Sequence, residues 1–164
     1  MGGSGISMQD RSAIGPGSKA SGHRTVTHEA CVHVLLVEDD ADTREVLRLI
    51  LESDGLVVTL ACDGMDALEQ IEEMRRVNPE APYAIVLDYM MPRLSGAQFR
   101  ERQLANPDIA DVPVILVSAV SDLEKHAEAL RPYAVMQKPV DAEELSAVVR
   151  QACKSYSSRR QGGN

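Results

Sequence analysis

Residues 32–40 read VHVLLVEDD, an apolar run broken only by His33 and ended by three consecutive carboxylates. A run this short and this rich in β-branched residues is a strand signal. The same kind of run returns at 56–60 (LVVTL), 84–87 (AIVL), 113–117 (PVILV) and 133–137 (YAVMQ). Helical stretches separate them. Within 41–53, Val46, Leu47, Ile50 and Leu51 share one face, and Gly55 follows as a stop. Within 64–77, Ala67, Leu68, Ile71 and Met74 repeat at helical spacing until Asn78-Pro79. Residues 95–105 form a weaker amphipath anchored on Phe99, and 121–130 a short helix with Leu123, Ala127 and Leu130. The last helix, expected over 141–154, lines up Leu145, Val148, Val149 and Ala152, with Asp141 as its N-cap.

Five strands alternating with five helices, the strands almost continuously apolar, imply an α/β fold: a parallel sheet wound with helices on both faces. Right-handed crossovers leave few topologies. In such sheets ligands bind beyond the carboxyl ends of the strands. Four strands end there in informative residues: Glu38-Asp39-Asp40, Asp88, Ser118 and Lys138-Pro139. A packed domain does not gather carboxylates without a cation, because like charges repel. Hard oxygen donors with room for water suit Mg²⁺. A carboxylate beside Mg²⁺ can serve as the nucleophile toward a phosphoryl group, with an ammonium and a hydroxyl holding the remaining oxygens.

The segments VEDD, LDYMMP-x3-G, VSA and KP, in this order and at these separations, resemble the receiver domain of two-component response regulators. The resemblance covers about residues 32–153. Each motif alone is weak; four in register at successive strand ends are specific. The resemblance implies a doubly wound, flavodoxin-like sheet of order 2-1-3-4-5. It implies Asp88 as phosphoacceptor, Glu38 and Asp39 as the acidic pair that holds Mg²⁺, and Asp39 as the direct ligand of the two. The Met90 backbone carbonyl would complete the metal shell with Asp88. Ser118 would hydrogen-bond the phosphoryl oxygen and Lys138 would ion-pair with it, Pro139 following a cis peptide. The implied partners are a sensor histidine kinase or histidine phosphotransfer protein, and a downstream protein engaged through the fourth helix, fifth strand and fifth helix. Beyond its own phosphorylation and dephosphorylation no enzyme activity is expected. About ten residues follow the fifth helix, so no output domain is expected after it.

Other residues have plainer readings. Asp40 stands where a helix N-cap is wanted, Met91 is a core filler, and Pro92 and Gly96 shape the loop after the third strand. His23, His28, His33 and His126 are scattered without ligand spacing, and Tyr83 and Tyr133 are packing residues. Two positions depart from the family. Val135 stands where an aromatic normally reports phosphorylation, and Leu130-Arg131-Pro132 replace the usual Gly-Ala before the fifth strand. Met90 and Val120 are bulky and apolar where a hydrolytic water would approach, which predicts slow phosphoryl loss.

The flanks and composition bound the rest. Residues 1–30, rich in Gly and Ser, read as a disordered leader, its opening MGGSG in part vector-derived; residues 31–154 form the receiver domain, and 155–164 a flexible tail. Of a net charge of −8, both flanks are basic, leaving about −12 on residues 31–153, which argues against a nucleic-acid surface. One Phe, four Tyr and no Trp argue against base stacking as a binding mode. Cys31, Cys62 and Cys153 have neither metal-ligand nor disulfide spacing. With no membrane-length apolar run and no signal core, a cytoplasmic protein that does not bind membranes is expected. Two other classes fit less well: an interaction module indifferent to phosphate, and an aspartyl phosphatase, which often carries a second acid where this chain has Met90.

Overall fold

The computed structural model describes residues 32–120, 123 and 127–162. Five strands, β1 (His33–Val37), β2 (Val57–Ala61), β3 (Ala84–Asp88), β4 (Val114–Ser118) and β5 (Ala134–Gln137), form one sheet. All neighbours are parallel and the order is β2-β1-β3-β4-β5, as expected. Every residue of β3 and β4 is buried, which accounts for their apolar sequences up to the terminal Asp88 and Ser118. At the edge, β2 leaves Val57 exposed and buries only Ala61 fully.

Among the described residues, α1 (Ala41–Ser53), α2 (Gly64–Val77), α3 (Gly96–Ala105) and α4 (Ala142–Gln161) cover the sheet. Helix α1 packs with α4, and α2 packs with α3, so both faces are covered. Each helix starts on a side-chain cap: Asp40, Asp63, Ser95 and Asp141 accept from backbone N–H groups of the first turn. Asp40 is therefore a cap, its carboxyl held below the usual range by the Thr43 N–H bond.

The helix expected over 121–130 falls partly on residues outside those described; Leu123 and Ala127 are helical and buried, and its end, Glu128–Leu130, is a 3-10 turn. One expectation needs correction. The flexible tail expected from Ser155 is instead helical as far as Gln161. Tyr156 explains the extension. It is 1% exposed, meets Tyr83 edge-on at 6.0 Å, and carries the Arg160 guanidinium 5.7 Å above its ring.

Cys62 and Cys153 are free thiols, and burial pushes Cys153 up to about 12. Cys31 and the leader lie outside the described residues. Among the described residues no helix is long and apolar enough to cross a membrane.

Candidate functional site

Strand register converts distant sequence positions into neighbours. Val37 pairs with Leu87, which sets Glu38 beside Asp88 at the sheet's carboxyl edge. Asp88 pairs with Val117 and Ser118 with Gln137, and the Lys138 N–H donates to the Ser118 carbonyl at 2.8 Å. The result brings together all of the expected side chains on one edge.

Glu38, Asp39 and Asp88 each present a carboxylate oxygen within 4.8 Å of the others. Glu38 and Asp88 are buried, while Asp39 is exposed. The donors are all hard oxygens and the site is open on the Asp39 side. That set fits a small divalent cation of the Mg²⁺ kind, with space left for water. Lys138 Nζ lies 2.7 Å from Glu38 Oε2 and 3.6 Å from Asp88 Oδ2.

Burial raises Asp88 most, and the Glu38 charge adds to it; Lys138 and the Met90 N–H bond oppose both. The balance leaves its carboxyl raised to about 7. Burial works against the Lys138 charge, but Glu38 and Asp88 outweigh it and raise its pKa. Without a cation, then, the pocket holds more negative charge than its single lysine offsets.

The loops are tied as tightly as the strands. Asp88 Oδ1 accepts from the Met90 N–H at 3.2 Å, and the Gly96 N–H donates to the Tyr89 carbonyl at 3.2 Å. A Cβ at Gly96 would stand 2.5 Å from the Asp88 carbonyl oxygen, so only glycine lets α3 start this close to the site. Ser118 is fully buried, and its Oγ accepts from the Val120 N–H at 3.1 Å. The Lys138–Pro139 peptide is cis, as the resemblance implied.

One contributor escaped sequence reasoning. Arg44 Nη1 donates to the Glu38 carbonyl at 2.6 Å, fixing the turn that presents the acidic pair. Its only signal was a basic residue one turn into the helix after Asp40, which has no function-specific meaning alone. Val135 is half-buried at the position of the missing aromatic, and Tyr133 is 36% exposed.

A five-stranded parallel α/β sheet with an acidic pocket, a lysine and a buried hydroxyl at its carboxyl edge defines a class of signalling domain. A family model for the response regulator receiver domain matches residues 34–150, and the chain belongs to that family. It is 34% identical over 129 residues to an uncharacterized 14.6 kDa protein in the sodA1 3′ region of Leptolyngbya boryana, covering 77% of this chain and 94% of that one. It is 37% identical over 121 residues to response regulator MprA of Mycobacterium ulcerans, covering 73% of this chain and 49% of MprA. The chain thus spans about half the length of MprA. Among solved structures, response regulator StyR superposes with a TM-score of 0.69 at 28% identity, covering 81% of this chain and 64% of StyR. The receiver domain of a LuxO-type repressor protein from Vibrio parahaemolyticus gives 0.70 at 23% identity, covering 81% of this chain and 98% of that one, a likeness of fold.

Proposed function

We propose that this receiver domain accepts a phosphoryl group on Asp88 from a phospho-histidine of a sensor kinase or phosphotransfer protein, in the cytoplasm and with Mg²⁺ bound. The observation that carries this reading is the convergence of Glu38, Asp39 and Asp88 oxygens within 4.8 Å beside Lys138. Glu38, Asp39, Asp88 and the Met90 carbonyl would hold the cation. When bound, it offsets the negative charge of the transferring phosphoryl oxygens.

The chain's own groups do the rest. An Asp88 carboxylate oxygen forms the bond to phosphorus as the phosphorus–nitrogen bond to the donor histidine breaks. The imidazole keeps that electron pair and takes a proton, and Asp88 becomes an acyl phosphate. Lys138, already 3.6 Å from Asp88, shifts its ammonium from Glu38 to a phosphoryl oxygen. The Ser118 hydroxyl donates to another, drawing the 118–120 turn toward Asp88. The face made by β5 and α4 would then present a different surface to a downstream protein.

The test is incubation with Mg²⁺ and acetyl phosphate, followed by intact mass, for wild type and Asp88→Asn. A stable gain of one phosphoryl group that needs Asp88 is expected. No gain in wild type would instead mean an interaction module indifferent to phosphate. Catalytic release of phosphate without a stable adduct would mean an aspartyl phosphatase.

A further inference from the structure

The loop that carries Met90 is fastened to a second loop, and the fastening involves no residue so far assigned to the site. Asp63, the N-cap of α2, is 2% exposed. Its Oδ1 accepts from the Met65 and Asp66 N–H groups at 2.8 and 3.0 Å. Its Oδ2 takes an ion-paired hydrogen bond from Arg93 Nη2, thirty residues away. The Arg93 side chain is 69% exposed, so it spends its charge on a buried carboxylate while remaining largely in solvent.

Two further features show that the contact shapes the loop. Arg93 has φ +64°, a left-handed conformation that a non-glycine residue adopts at a cost and keeps only where its surroundings hold it. Next to it, Leu94 packs over Gly64 so closely that a Cβ there would come within 2.7 Å of Leu94 Cδ2. At its two ends the loop is closed on itself by the Met90 N–H on Asp88 Oδ1 and the Gly96 N–H on the Tyr89 carbonyl. Residues 89–96 are therefore held at both ends near Asp88, and in the middle by Met91 buried in the core and by Arg93 and Leu94 against the β2–α2 turn.

We propose that Asp63 and Arg93 are positioning residues: their ion pair pins the 89–95 loop so that the Met90 carbonyl stands where the cation on Asp88 needs it. The inference rests on the reading of Asp88, Glu38 and Asp39 as the Mg²⁺ site. Groups that orient metal ligands without touching the metal typically contribute a factor of about 10–100 in affinity. Here the expected loss is at the lower end, because Leu94 and the two end bonds remain.

The experiment compares wild type, Arg93→Ala, Arg93→Lys and Arg93→Gly, all changed at an exposed side chain. Mg²⁺ titration followed by amide NMR gives the affinity; hydrogen exchange in EDTA gives the mobility of residues 89–95. Arg93→Ala is expected to bind Mg²⁺ about 10-fold more weakly, with faster exchange confined to 89–95. Arg93→Lys should recover most of both. Arg93→Gly, which relieves the left-handed backbone but lacks the charge, should resemble Arg93→Ala and so assign the effect to the ion pair. Unchanged affinity and unchanged loop exchange in Arg93→Ala would overturn the proposal, as would full recovery by glycine. Failure of wild type to bind Mg²⁺ would sink the reading of the Asp88 site itself; the exchange measurement would still judge the latch.

Discussion

Lys138 reaches Glu38, one hundred residues away, at 2.7 Å, nearer than it comes to Asp88 at 3.6 Å. In this state the lysine serves mainly to neutralise a buried glutamate. Glu38 is 1% exposed, so removing the ammonium strands a carboxylate out of water. Lys138→Met is expected to destabilise the protein in EDTA by about 1–3 kcal/mol. Saturating Mg²⁺ should return part of that loss by supplying the missing positive charge. Urea unfolding with and without Mg²⁺ measures both; equal losses in the two conditions would contradict the pairing.

Asp88 gives the protein a pH dependence of definite sign. Its folded carboxyl is raised to about 7, chiefly by burial, from an ordinary value of 3.8. Between those values the folded state binds the proton that the unfolded state has released. Stability in EDTA therefore falls as pH climbs from about 4 to about 7, then levels off. Asp88→Asn should flatten this slope and, above pH 7, exceed wild type by on the order of 1–3 kcal/mol. Mg²⁺ should reverse the slope for wild type alone. Thermal unfolding over this pH range decides it, and a wild-type profile that rises toward pH 7 in EDTA would refute it.

Helix α3 shows why part of the structure was hard to see in advance. Its buried face includes Arg100 and Gln103 beside Phe99, so a search for apolar periodicity finds only a weak amphipath. The end of α4 was missed for a related reason: in SYSSRRQ only Tyr156 is apolar, and its burial depends on Tyr83 from another part of the chain. Likewise nothing local to Asp63 or Arg93 signals their ion pair. The strand order was legible only through the family resemblance, whereas the convergence of Glu38, Asp39, Asp88, Ser118 and Lys138 was legible because parallel strands carry their ends to one edge. That rule needs no side-chain detail.

The Arg100–Gln103 pair is also a stability prediction. Arg100 is 4% exposed and donates to the Leu130 and Arg131 carbonyls, both at 2.9 Å, and to Gln103 Oε1 at 2.6 Å. Burial, aided by nearby Arg131, lowers its pKa to about 10, so it stays charged at neutral pH. Gln103 Nε2 in turn donates to the Ile109 and Val112 carbonyls at 2.8 and 3.0 Å. Arg100→Met should cost about 2–3 kcal/mol by orphaning these acceptors. Arg100→Lys should recover little, since an ammonium cannot match the guanidinium's planar set of donors. A loss under 0.5 kcal/mol, the range of ordinary surface changes, would show that water replaces the guanidinium.

Phosphoryl lifetime depends on how the approach to Asp88 treats water. Met90 and Val120 are exposed, at 60% and 43%, and neither offers a group that can orient a nucleophilic water. Slow hydrolysis of phospho-Asp88 follows. Replacing Met90 by Asn, which adds a donor and an acceptor without charge, should shorten the lifetime several-fold while leaving labelling intact. Loss of the mass adduct with time measures it; a wild-type adduct that vanishes as fast as the variant's would reject the idea.

The response to phosphate should be carried by Ser118 and Lys138 rather than by β5 as a whole. The Ser118 Oγ holds the Val120 N–H at 3.1 Å, and the Lys138 N–H holds the Ser118 carbonyl at 2.8 Å, so the two strand ends move together. Val135 offers no large ring to swing between buried and exposed positions, and Met136 beside it is buried on the opposite face. With beryllofluoride as the phosphoryl mimic, amide shifts are expected at Ser118, Ala119, Val120 and Lys138, with little change at Val135. Ser118→Ala should abolish the movement at Val120 while Mg²⁺ binding persists. Amides from 118 to 138 that all stay still would mean that phosphate is bound without being reported. Large shifts centred on Val135 would place the switch in β5 after all.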